Sequence, residues 1–325
     1  MKLTVVAILM AAAALGIALL LFSDGGFGQP RVLSDQREVF GATVTITIYD
    51  QNAKTASQAI SDAFDRIAQI ESIASSADEA SEISQLNQES YLPAASDELV
   101  EMLRLAFVVN QVSDGAFDVS HGALLDLWRF DPEADAQFKD VAPDVQSASI
   151  TAAKRHVGMD RILLGSGRKT SVSLVPGTRI VLDAIAMGYA LDAAVNTLRD
   201  AGIEHALIDA GTVAYALGTK PNGLSWSFEQ FQIADKAIAS ATDGMFILDP
   251  RTGYPATAAS SATVIAPTAA EAQALATATL VMGSQAGLAL IEQLARTEAL
   301  IFGFERPVEA FRSSGLAAFE SMSIK

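Results

Sequence analysis

The sequence contains no cysteine, and this absence excludes several kinds of protein chemistry at once. The chain can have no disulfide framework, no thiolate metal site, no cysteine nucleophile and no lipid-modified cysteine. Basic residues are few, since 22 Lys and Arg stand against 38 Asp and Glu, for a formal net charge of −16. Because the basic residues are also scattered, the chain lacks the electrostatic footprint of a nucleic-acid-binding protein, and we expect no nucleic-acid partner.

Several catalytic signatures are missing as well. The three histidines, His121, His156 and His205, lie far apart and lack the spacing of metal ligands, so we expect each to be structural or exposed at the surface. The sequence shows no Ser-His-Asp order, no P-loop and no dinucleotide-binding GxGxxG motif. It also shows no internal repeat, which favours one domain over residues 31–325.

A long hydrophobic run lies at the amino terminus. Every residue from 5 to 22 is apolar or glycine. This length is close to the ~17–25 residues that span a bilayer and exceeds the ~7–15 residue core of a signal peptide. We therefore expect residues 1–30 to form an uncleaved membrane anchor with a short linker, and a cleaved signal peptide is the alternative. In either case we expect residues from about 31 onward to lie on the extracytoplasmic side of the membrane.

After this run, short β-rich stretches alternate with amphipathic helices. Residues 43–49 alternate apolar and polar side chains with a period of two, which predicts a half-buried strand. Helical spacing of apolar residues predicts helices over 56–73 and around 100–107, and alanine-rich stretches predict helices over 184–201 and 269–282. The stretches RILLG, TRIVLD, HALIDAG, SATVIA and EALIFG predict further strands. Together these elements predict an α+β fold of mixed layers, preceded by one transmembrane helix.

Three segments have more specific patterns. In FILDPRTGYPA, residues 246–256, Asp249-Pro250 ends a strand, Gly253 supplies a positive φ and Pro255 fixes the exit, which alone predicts a rigid hairpin connection. Residues 115–132 predict a loop flanked by helices, with Phe117, Trp128 and Phe130 as aromatic anchors. Residues 180–192 predict a strand that enters a helix through small residues, where a ligand or another backbone can approach closely.

A capping box, TAAE, opens the helix predicted over 269–282. Its Thr268 is the expected N-cap residue, and Glu271 is the expected reciprocal partner. The positive amino-terminal end of this helix suits a phosphate, although most capping boxes only start a helix.

In this order, the segments resemble the FAD:protein FMN transferases, bacterial enzymes of the extracytoplasmic side. The resemblance runs through FGATVTITIY, SEISQLN, DGAFDVSHG, DAIAMGYALD, DPRTGYPA and APTAAEAQALAT, nearly the whole exported region. Members of that family bind FAD and, with magnesium, transfer its FMN half to a Ser or Thr of a flavoprotein and release AMP, while some hydrolyse FAD instead. The resemblance implies that the chain binds FAD and Mg²⁺ and that its partner is a target flavoprotein or a membrane redox complex. It also implies that the protein is anchored in the inner membrane, with its domain in the periplasm.

The resemblance also implies two sets of site residues. The flavin nucleotide would be bound by Gly41, Thr43, Ser81, Phe117, Asp118, Gly188, Tyr189, Asp249, Arg251, Thr252 and Gly253. The metal would be held around Ala184, Thr277, Asp183 and Gln273. No residue is assigned a catalytic role.

Several positions depart from the family's motifs where the chemistry would take place. Departures are found at Val181 in place of Asp, Asp183 in place of Gly, Met187 in place of Lys, Val213 in place of Asp, Phe246 in place of His and Gln273 in place of the magnesium-binding Asp. The family's serine-glycine loop is reduced to Ser240-Ala241. A Gln amide offers magnesium only a neutral carbonyl, and a thioether offers a phosphate no charge. These departures predict weak metal binding and weak stabilisation of phosphoryl charge.

The position of Asp183 allows two interpretations. It lies two residues after Val181, on the same face of the predicted strand, so a metal-binding carboxylate could have been relocated. Alternatively, Asp183 is the N-cap of the helix predicted from residue 184.

Three hypotheses for function follow from these observations. The first is an FAD-binding protein impaired in transfer, and the second is an active transferase with a rearranged metal site. The third is a non-catalytic interaction subunit of a membrane redox assembly. Whether the chain is an enzyme stays open at this point.

Overall fold

A computed structural model describes residues 31–128, 142–242, 247–304 and 308–320. The membrane anchor predicted at residues 1–30 lies outside these ranges, as do Phe130 and Phe246. Within them, no helix combines the length and the apolar character that crossing a bilayer requires.

Thirteen strands and eight α-helices make up the described part of the chain. The strands are β1 Arg31–Val39, β2 Ala42–Asp50, β3 Tyr91–Leu92, β4 Ile162–Leu164, β5 Val172–Leu174, β6 Ala206–Asp209, β7 Val213–Leu217, β8 Trp226–Phe228, β9 Phe231–Ile233, β10 Lys236–Thr242, β11 Ser261–Ala266, β12 Glu298–Phe302 and β13 Ala310–Arg312. The helices are α1 Ala53–Ala74, α2 Glu82–Glu89, α3 Asp97–Val112, α4 Gly122–Trp128, α5 Pro143–Lys154, α6 Ala186–Asp200, α7 Ala269–Met282 and α8 Ser284–Ile291.

An eight-stranded antiparallel sheet forms the centre of the fold, in the order β1-β2-β6-β7-β10-β11-β12-β13. Side chains alternate between its two faces. In β10, Ala237, Ala239 and Ala241 belong to the core under the helices, whereas Ile238 belongs to a separate apolar cluster with Trp226 of the β8-β9 hairpin. The sheet therefore lies between a helical layer and a small β layer.

Helices α1, α6 and α7 pack together in the helical layer. Alanines lie on all sides of α7 because it is enclosed by α6 on one side and by β10 and β11 on the other. The backbones of α6 and α7 approach so closely that a Cβ atom on Gly188 would lie 2.3 Å from the carbonyl oxygen of Ala269. Only glycine fits at this position.

The α+β fold and most of the predicted elements are confirmed. The strand predicted over 43–49 is β2, the helix predicted over 56–73 is α1, and the helix predicted over 269–282 is α7. The strand predicted at TRIVLD is wrong. Its Ile180 amide donates to the side chain of Asn87 and its Val181 amide donates to Val119, so the segment joins no ladder beyond one bridge between Arg179 and His121.

Candidate functional site

A cavity of about 290 Å³ opens where three loops meet at the end of the helical layer. Its walls come from residues 116–121 before α4, residues 181–184 before α6 and residues 247–250 after β10, with Thr277 of α7 alongside. A second cavity of about 140 Å³ shares Asp183, Ala184, Ile247 and Thr277 with the first and reaches Gln273. We call the two adjoining cavities the cleft.

Asp118 forms part of the wall of the larger cavity and is buried. Its Oδ1 accepts hydrogen bonds from the backbone amide of Ser120, at 2.8 Å, and from the Ser120 hydroxyl, at 2.6 Å. The same hydroxyl accepts a 2.6 Å hydrogen bond from the amide of Gly158. Burial raises the pKa of the Asp118 carboxyl, and the two hydrogen bonds from Ser120 oppose this rise.

His121 also lines the larger cavity. The sequence predicts that it is structural or exposed at the surface, and the structure adds that it borders the cleft. Its backbone bridges to Arg179, and its Nδ1 contacts the carbonyl oxygen of Asp118. Burial lowers the pKa of His121, while that carbonyl and the carboxylates of Asp118 and Asp183 oppose the fall. The signal that could have identified this residue is its position three residues after Asp118, inside DGAFDVSHG.

Asp183 lies at the open side of the cleft, in the walls of both cavities. Its carboxylate accepts a 3.3 Å hydrogen bond from the hydroxyl of Ser76. Desolvation by the surrounding protein raises the pKa of this carboxyl, and Ser76 and His121 oppose the rise. The N-cap interpretation of Asp183 is wrong, because α6 begins at Ala186 after Ile185 and has no side-chain cap. The carboxylate instead borders the cleft.

The side chain of Gln273 joins three parts of the site. Its Oε1 accepts a 2.8 Å hydrogen bond from the amide of Gly188 in α6, and its Nε2 donates a 2.9 Å hydrogen bond to the carbonyl of Asp183. Thr277, one turn later in α7, donates its hydroxyl proton to the carbonyl of Gln273 at 3.2 Å. Both ends of the Gln273 amide are therefore engaged by backbone groups, and we refer to this arrangement as the Gln273 bridge.

These residues do not fit a magnesium ion of the kind that the resemblance implies. Magnesium takes hard oxygen donors in near-octahedral geometry, usually one or two carboxylates together with waters and substrate phosphates. Among the four candidate ligands only Asp183 carries a carboxylate, and the amide group of Gln273 points an N–H donor at the backbone of the same loop. The ranges that the structure describes contain no group of three or more His, Asp or Glu residues arranged to hold a metal.

The amino-terminal end of α7 is already occupied by a carboxylate. Asp192 accepts hydrogen bonds from the amides of Ala269, at 2.7 Å, and Ala270, at 2.9 Å. Thr268 is the N-cap residue, as predicted, and its hydroxyl accepts from the amide of Glu271 at 3.2 Å. The place predicted to suit a phosphate is thus filled by Asp192.

The turn in DPRTGYP has the predicted positive φ at Gly253 and supports one wall of the cleft, but in the described residues before it the predicted strand is reduced to one bridge between Leu248 and Pro255. Gly253 has a φ of +84° and donates a 2.7 Å hydrogen bond to the carbonyl of Asp249. The guanidinium of Arg251 pairs with the Asp249 carboxylate at 2.9 Å and also donates to the carbonyl of Val281 at 3.3 Å. Pro250 faces the larger cavity, whereas the charged groups of this turn satisfy one another.

The other predicted flavin-binding residues lie at several places in the fold. Phe117 joins Asp118 in the cavity wall. Gly41 and Thr43 lie at the β1-β2 turn, Ser81 is the N-cap of α2, Thr252 lies in the DPRTGYP turn, and the hydroxyl of Tyr189 donates to Glu101 of α3 at 2.5 Å. Whether each contacts a flavin stays a prediction.

Comparisons with known proteins identify the family and match this fold. Residues 40–301 match the profile of the ApbE family. The chain is 27% identical over 217 residues to an FAD:protein FMN transferase of Klebsiella pneumoniae and 28% identical over 224 residues to one of Vibrio cholerae. These alignments cover 58% and 61% of this chain, and they span 61% and 65% of the two relatives. The solved structure of the flavin transferase ApbE from Vibrio cholerae aligns with a TM-score of 0.76 at 25% identity, over 89% of this chain and 99% of that one.

Proposed function

The chain belongs to the ApbE family, and from this premise we propose that it binds FAD in the cleft but is impaired in magnesium-dependent transfer of FMN to a Ser or Thr of a flavoprotein. The activity named for its relatives and the placement of Phe117 and Asp118 in the cavity wall support FAD binding. The observation that carries the impairment is the Gln273 bridge. At the position where the resemblance implies a metal-binding carboxylate, this chain has a neutral amide that holds the backbone instead.

The charge distribution around the cleft supports the same conclusion. Met187 replaces the family's lysine and is buried in the core, and Arg251 is paired with Asp249. Asp118 and Asp183 add negative charge to the walls. A transferring phosphoryl group develops negative charge that needs cations or N–H donors, and loss of one such donor costs ~10²–10³ in rate. We therefore expect transfer to be slow.

Asp183 supports a second candidate, an active transferase with a rearranged metal site. Its carboxylate borders the cleft together with Thr277, as a relocated ligand would. Asp183 is the one anionic side chain among the candidate ligands, and the amide of Gln273 is held by backbone groups, which is why we place this candidate second.

We also propose that residues 1–30 anchor the protein in the inner membrane, with the remainder in the periplasm. The uninterrupted apolar run over residues 5–22 supports this placement. The partner would be a flavoprotein or a membrane redox complex, because transfer of FMN requires a protein acceptor.

An assay of the full-length protein with FAD tests the proposed function. FAD binding is measured by the quenching of flavin fluorescence with magnesium and with a chelator, and AMP release is followed in the same samples, with the Vibrio cholerae transferase as the positive control. We expect FAD to bind equally well in both conditions and AMP release to be at least ~10²-fold slower than in the control. Comparable rates would favour the second candidate, and a lack of FAD binding would refute both.

A further inference from the structure

The chain enters the central sheet at one end of its strands. Arg31 begins β1 and pairs with Asp50, the last residue of β2. The neighbouring ladders continue this end of the sheet through three further residues: Ala206, Leu217 and Lys236. We call it the tether end, because residues 1–30 precede Arg31.

The cleft lies at the opposite end of the same strands. Its smaller cavity is lined by Val213, which begins β7, and by Ser240 and Ala241 near the end of β10. Strand β2 runs for nine residues between the two ends, and a rise of ~3.4 Å per residue separates them by about 27 Å. The start of β1 is therefore remote from the cleft.

A short stretch of chain separates Arg31 from the apolar run that we propose as a membrane anchor. The run ends at residue 22, so the eight residues 23–30 lie between them. Eight residues span at most ~29 Å when fully extended. Turning the cleft toward the bilayer would use almost this whole length, at a cost in chain entropy, whereas turning the tether end toward it would not. Connectivity therefore favours an orientation with the tether end toward the membrane.

An exposed turn connects β7 with β8 over residues 218–225. Its Leu224 is 62% exposed, the highest value for a large apolar side chain in the ranges that the structure describes. The amide of Lys220 donates to the carbonyl of Leu224 at 2.8 Å, and the amide of Leu224 donates to Oδ1 of Asn222 at 3.1 Å, so the turn has a defined shape. A single exposed leucine is common on soluble proteins, and its location therefore matters more than its exposure.

Contacts place this turn at the tether end. It follows Leu217 directly, and its Pro221 lines a surface depression of about 500 Å³ together with Asp50. The ring of Trp226, just after the turn, packs against Tyr49 near the end of β2, with the ring centroids 5.5 Å apart. The volume of the depression is in the range that is usual for ligand pockets, so it can receive a lipid headgroup.

The charged groups beside this turn suit phospholipid headgroups. Neither Arg31 nor Lys220 takes part in the ion pairs between described side chains, and the Lys220 ammonium lies 5.7 Å from the centre of the Trp226 ring. Lys, Arg, Trp and Tyr are the residues that meet lipid headgroups at a membrane interface. Asp50 and Glu204 line the depression, so cations and carboxylates lie side by side. A zwitterionic phospholipid presents the matching pair, a phosphate and an ammonium group.

We propose that the tether end lies against the phospholipid surface of the membrane, with Leu224 in the interfacial layer and Arg31 and Lys220 at the lipid phosphates. This inference rests on the proposed membrane anchor at residues 1–30. In this orientation the cleft faces away from the bilayer, about 27 Å farther from it than the tether end. An acceptor flavoprotein would then present its Ser or Thr on a domain that extends into the periplasm, not at the membrane surface.

Fluorescence quenching on the full-length protein in vesicles tests this orientation. Because the chain contains no cysteine, a fluorophore can be attached at one introduced position, Leu224→Cys or the matched control Phe304→Cys. Phe304 is also an exposed apolar residue, but it follows the end of β12 that pairs with Ser261, on the cleft side of the sheet. The vesicles consist of phosphatidylethanolamine and phosphatidylglycerol, with a fraction of lipid that carries a nitroxide quencher on its headgroup. We expect a loss of fluorescence at residue 224 and none at residue 304.

A leucine variant with a matched control provides a second measurement. The fluorophore is now attached at Glu204→Cys, in the depression at the tether end. We expect Leu224→Asp to reduce the quenching at residue 204, because a carboxylate resists transfer out of water. Leu163→Asp is the control, since Leu163 is an exposed leucine of β4 in the separate three-stranded sheet, and it should leave the quenching unchanged. Thermal melting shows that both variants are folded.

The outcomes separate this inference from the proposed anchor. If the protein floats with the vesicles but residue 304 is quenched as strongly as residue 224, or residue 224 is not quenched, the inference is wrong and the anchor stands. Unchanged quenching in Leu224→Asp would overturn the contact of Leu224 with the lipid. If the protein does not float with the vesicles, the proposed anchor is wrong and the inference fails with it, while FAD binding is unaffected.

Discussion

The carboxylate of Asp192 accepts a 2.7 Å hydrogen bond from the backbone amide of Ala269, the first residue of α7. This contact joins α6 to the amino-terminal end of α7, and the Gln273 bridge joins the same two helices one turn further on. Burial raises the pKa of Asp192 to about 7, against the effect of its two amide hydrogen bonds. The stability of this helix pair should therefore depend on pH.

The first prediction concerns that pH dependence. A carboxyl whose pKa is higher in the folded protein than the ordinary ~3.9 binds protons more tightly when folded, so its contribution to stability is full below pH ~4 and is lost as the pH rises to about 7. We expect the free energy of unfolding of the wild type, relative to Asp192→Asn, to fall between pH 4 and pH 8 by up to about 4 kcal/mol. Denaturant unfolding of both proteins at several pH values measures this difference. A rise in this free-energy difference over the same interval would show that the amide hydrogen bonds lower the pKa of Asp192 by more than burial raises it.

The second prediction concerns the Gln273 bridge. Gln273→Asp removes the N–H donor to the Asp183 carbonyl and should destabilise the protein by about 1–3 kcal/mol without metal. Magnesium should then raise the melting temperature of the variant more than that of the wild type, because the cleft has gained a carboxylate. Gln293→Asp is the control, since the Gln293 side chain donates to the carbonyl of Ala289 in its own segment. Equal responses of the wild type and Gln273→Asp to magnesium would contradict this account.

The third prediction extends the second to turnover. We expect Gln273→Asp alone to improve metal-dependent FAD binding more than AMP release, and Met187→Lys to be needed in addition for detectable release. The two effects should be non-additive, because both groups would act on the same pyrophosphate. The measurement is FAD binding and AMP release for the wild type, both single variants and the double variant. If the wild type turns over FAD as fast as the double variant does, the impaired-enzyme proposal fails and a relocated carboxylate at Asp183 explains the activity better.

The fourth prediction concerns the DPRTGYP turn. Gly253→Val places a β-branched residue at a φ of +84°, and its Cβ would lie 2.5 Å from a methyl carbon of Ile150. Gly223→Val is a matched control, because Gly223 has a φ of +79° with open space around the Cβ position. The control isolates the backbone strain of roughly 1–3 kcal/mol, and Gly253→Val should lose about 1–3 kcal/mol more through overpacking. Melting temperatures measure both, and equal losses would mean that the contact with Ile150 is unimportant.

The fifth prediction concerns the amino terminus. The apolar run over residues 5–22 leads us to expect that the mature protein retains its first residues and fractionates with membranes. Intact-mass measurement of protein purified from its native membrane tests this directly. A mature chain that starts between residues 24 and 31 would identify a cleaved signal peptide instead.

The sequence predicts the regular elements well where one face of an element is buried, because the periodicity of apolar residues is a local signal. Strand β2 and helix α1 both follow from the spacing of their isoleucines. The sequence wrongly predicts a strand over residues 180–183 because IVLD has the composition of a strand, whereas its backbone bonds to Asn87 and Val119. Those partners are distant in sequence, so no local pattern reveals them.

The candidate site is less predictable than the fold for the same reason. His121 lies inside DGAFDVSHG, but the sequence does not show that its backbone bridges to Arg179, far along the chain, or that it lines the cavity. The contact of Asp192 with Ala269 likewise joins two helices that are separated by many residues. The family resemblance implies roles for Asp118 and Gln273, but the sequence does not show that both ends of the Gln273 amide bind backbone groups.

The close approach of Gly188 to Ala269 has a consequence for how this protein could diverge. The distance between α6 and α7 is set by a missing side chain and by alanines, not by a bound ion or by a lysine. The close packing of these two helices could therefore be inherited unchanged while residues that do not set this distance were substituted during evolution. The contact between these helices depends on the absence of a side chain at residue 188, a requirement that is separate from the charge of any group in the cleft.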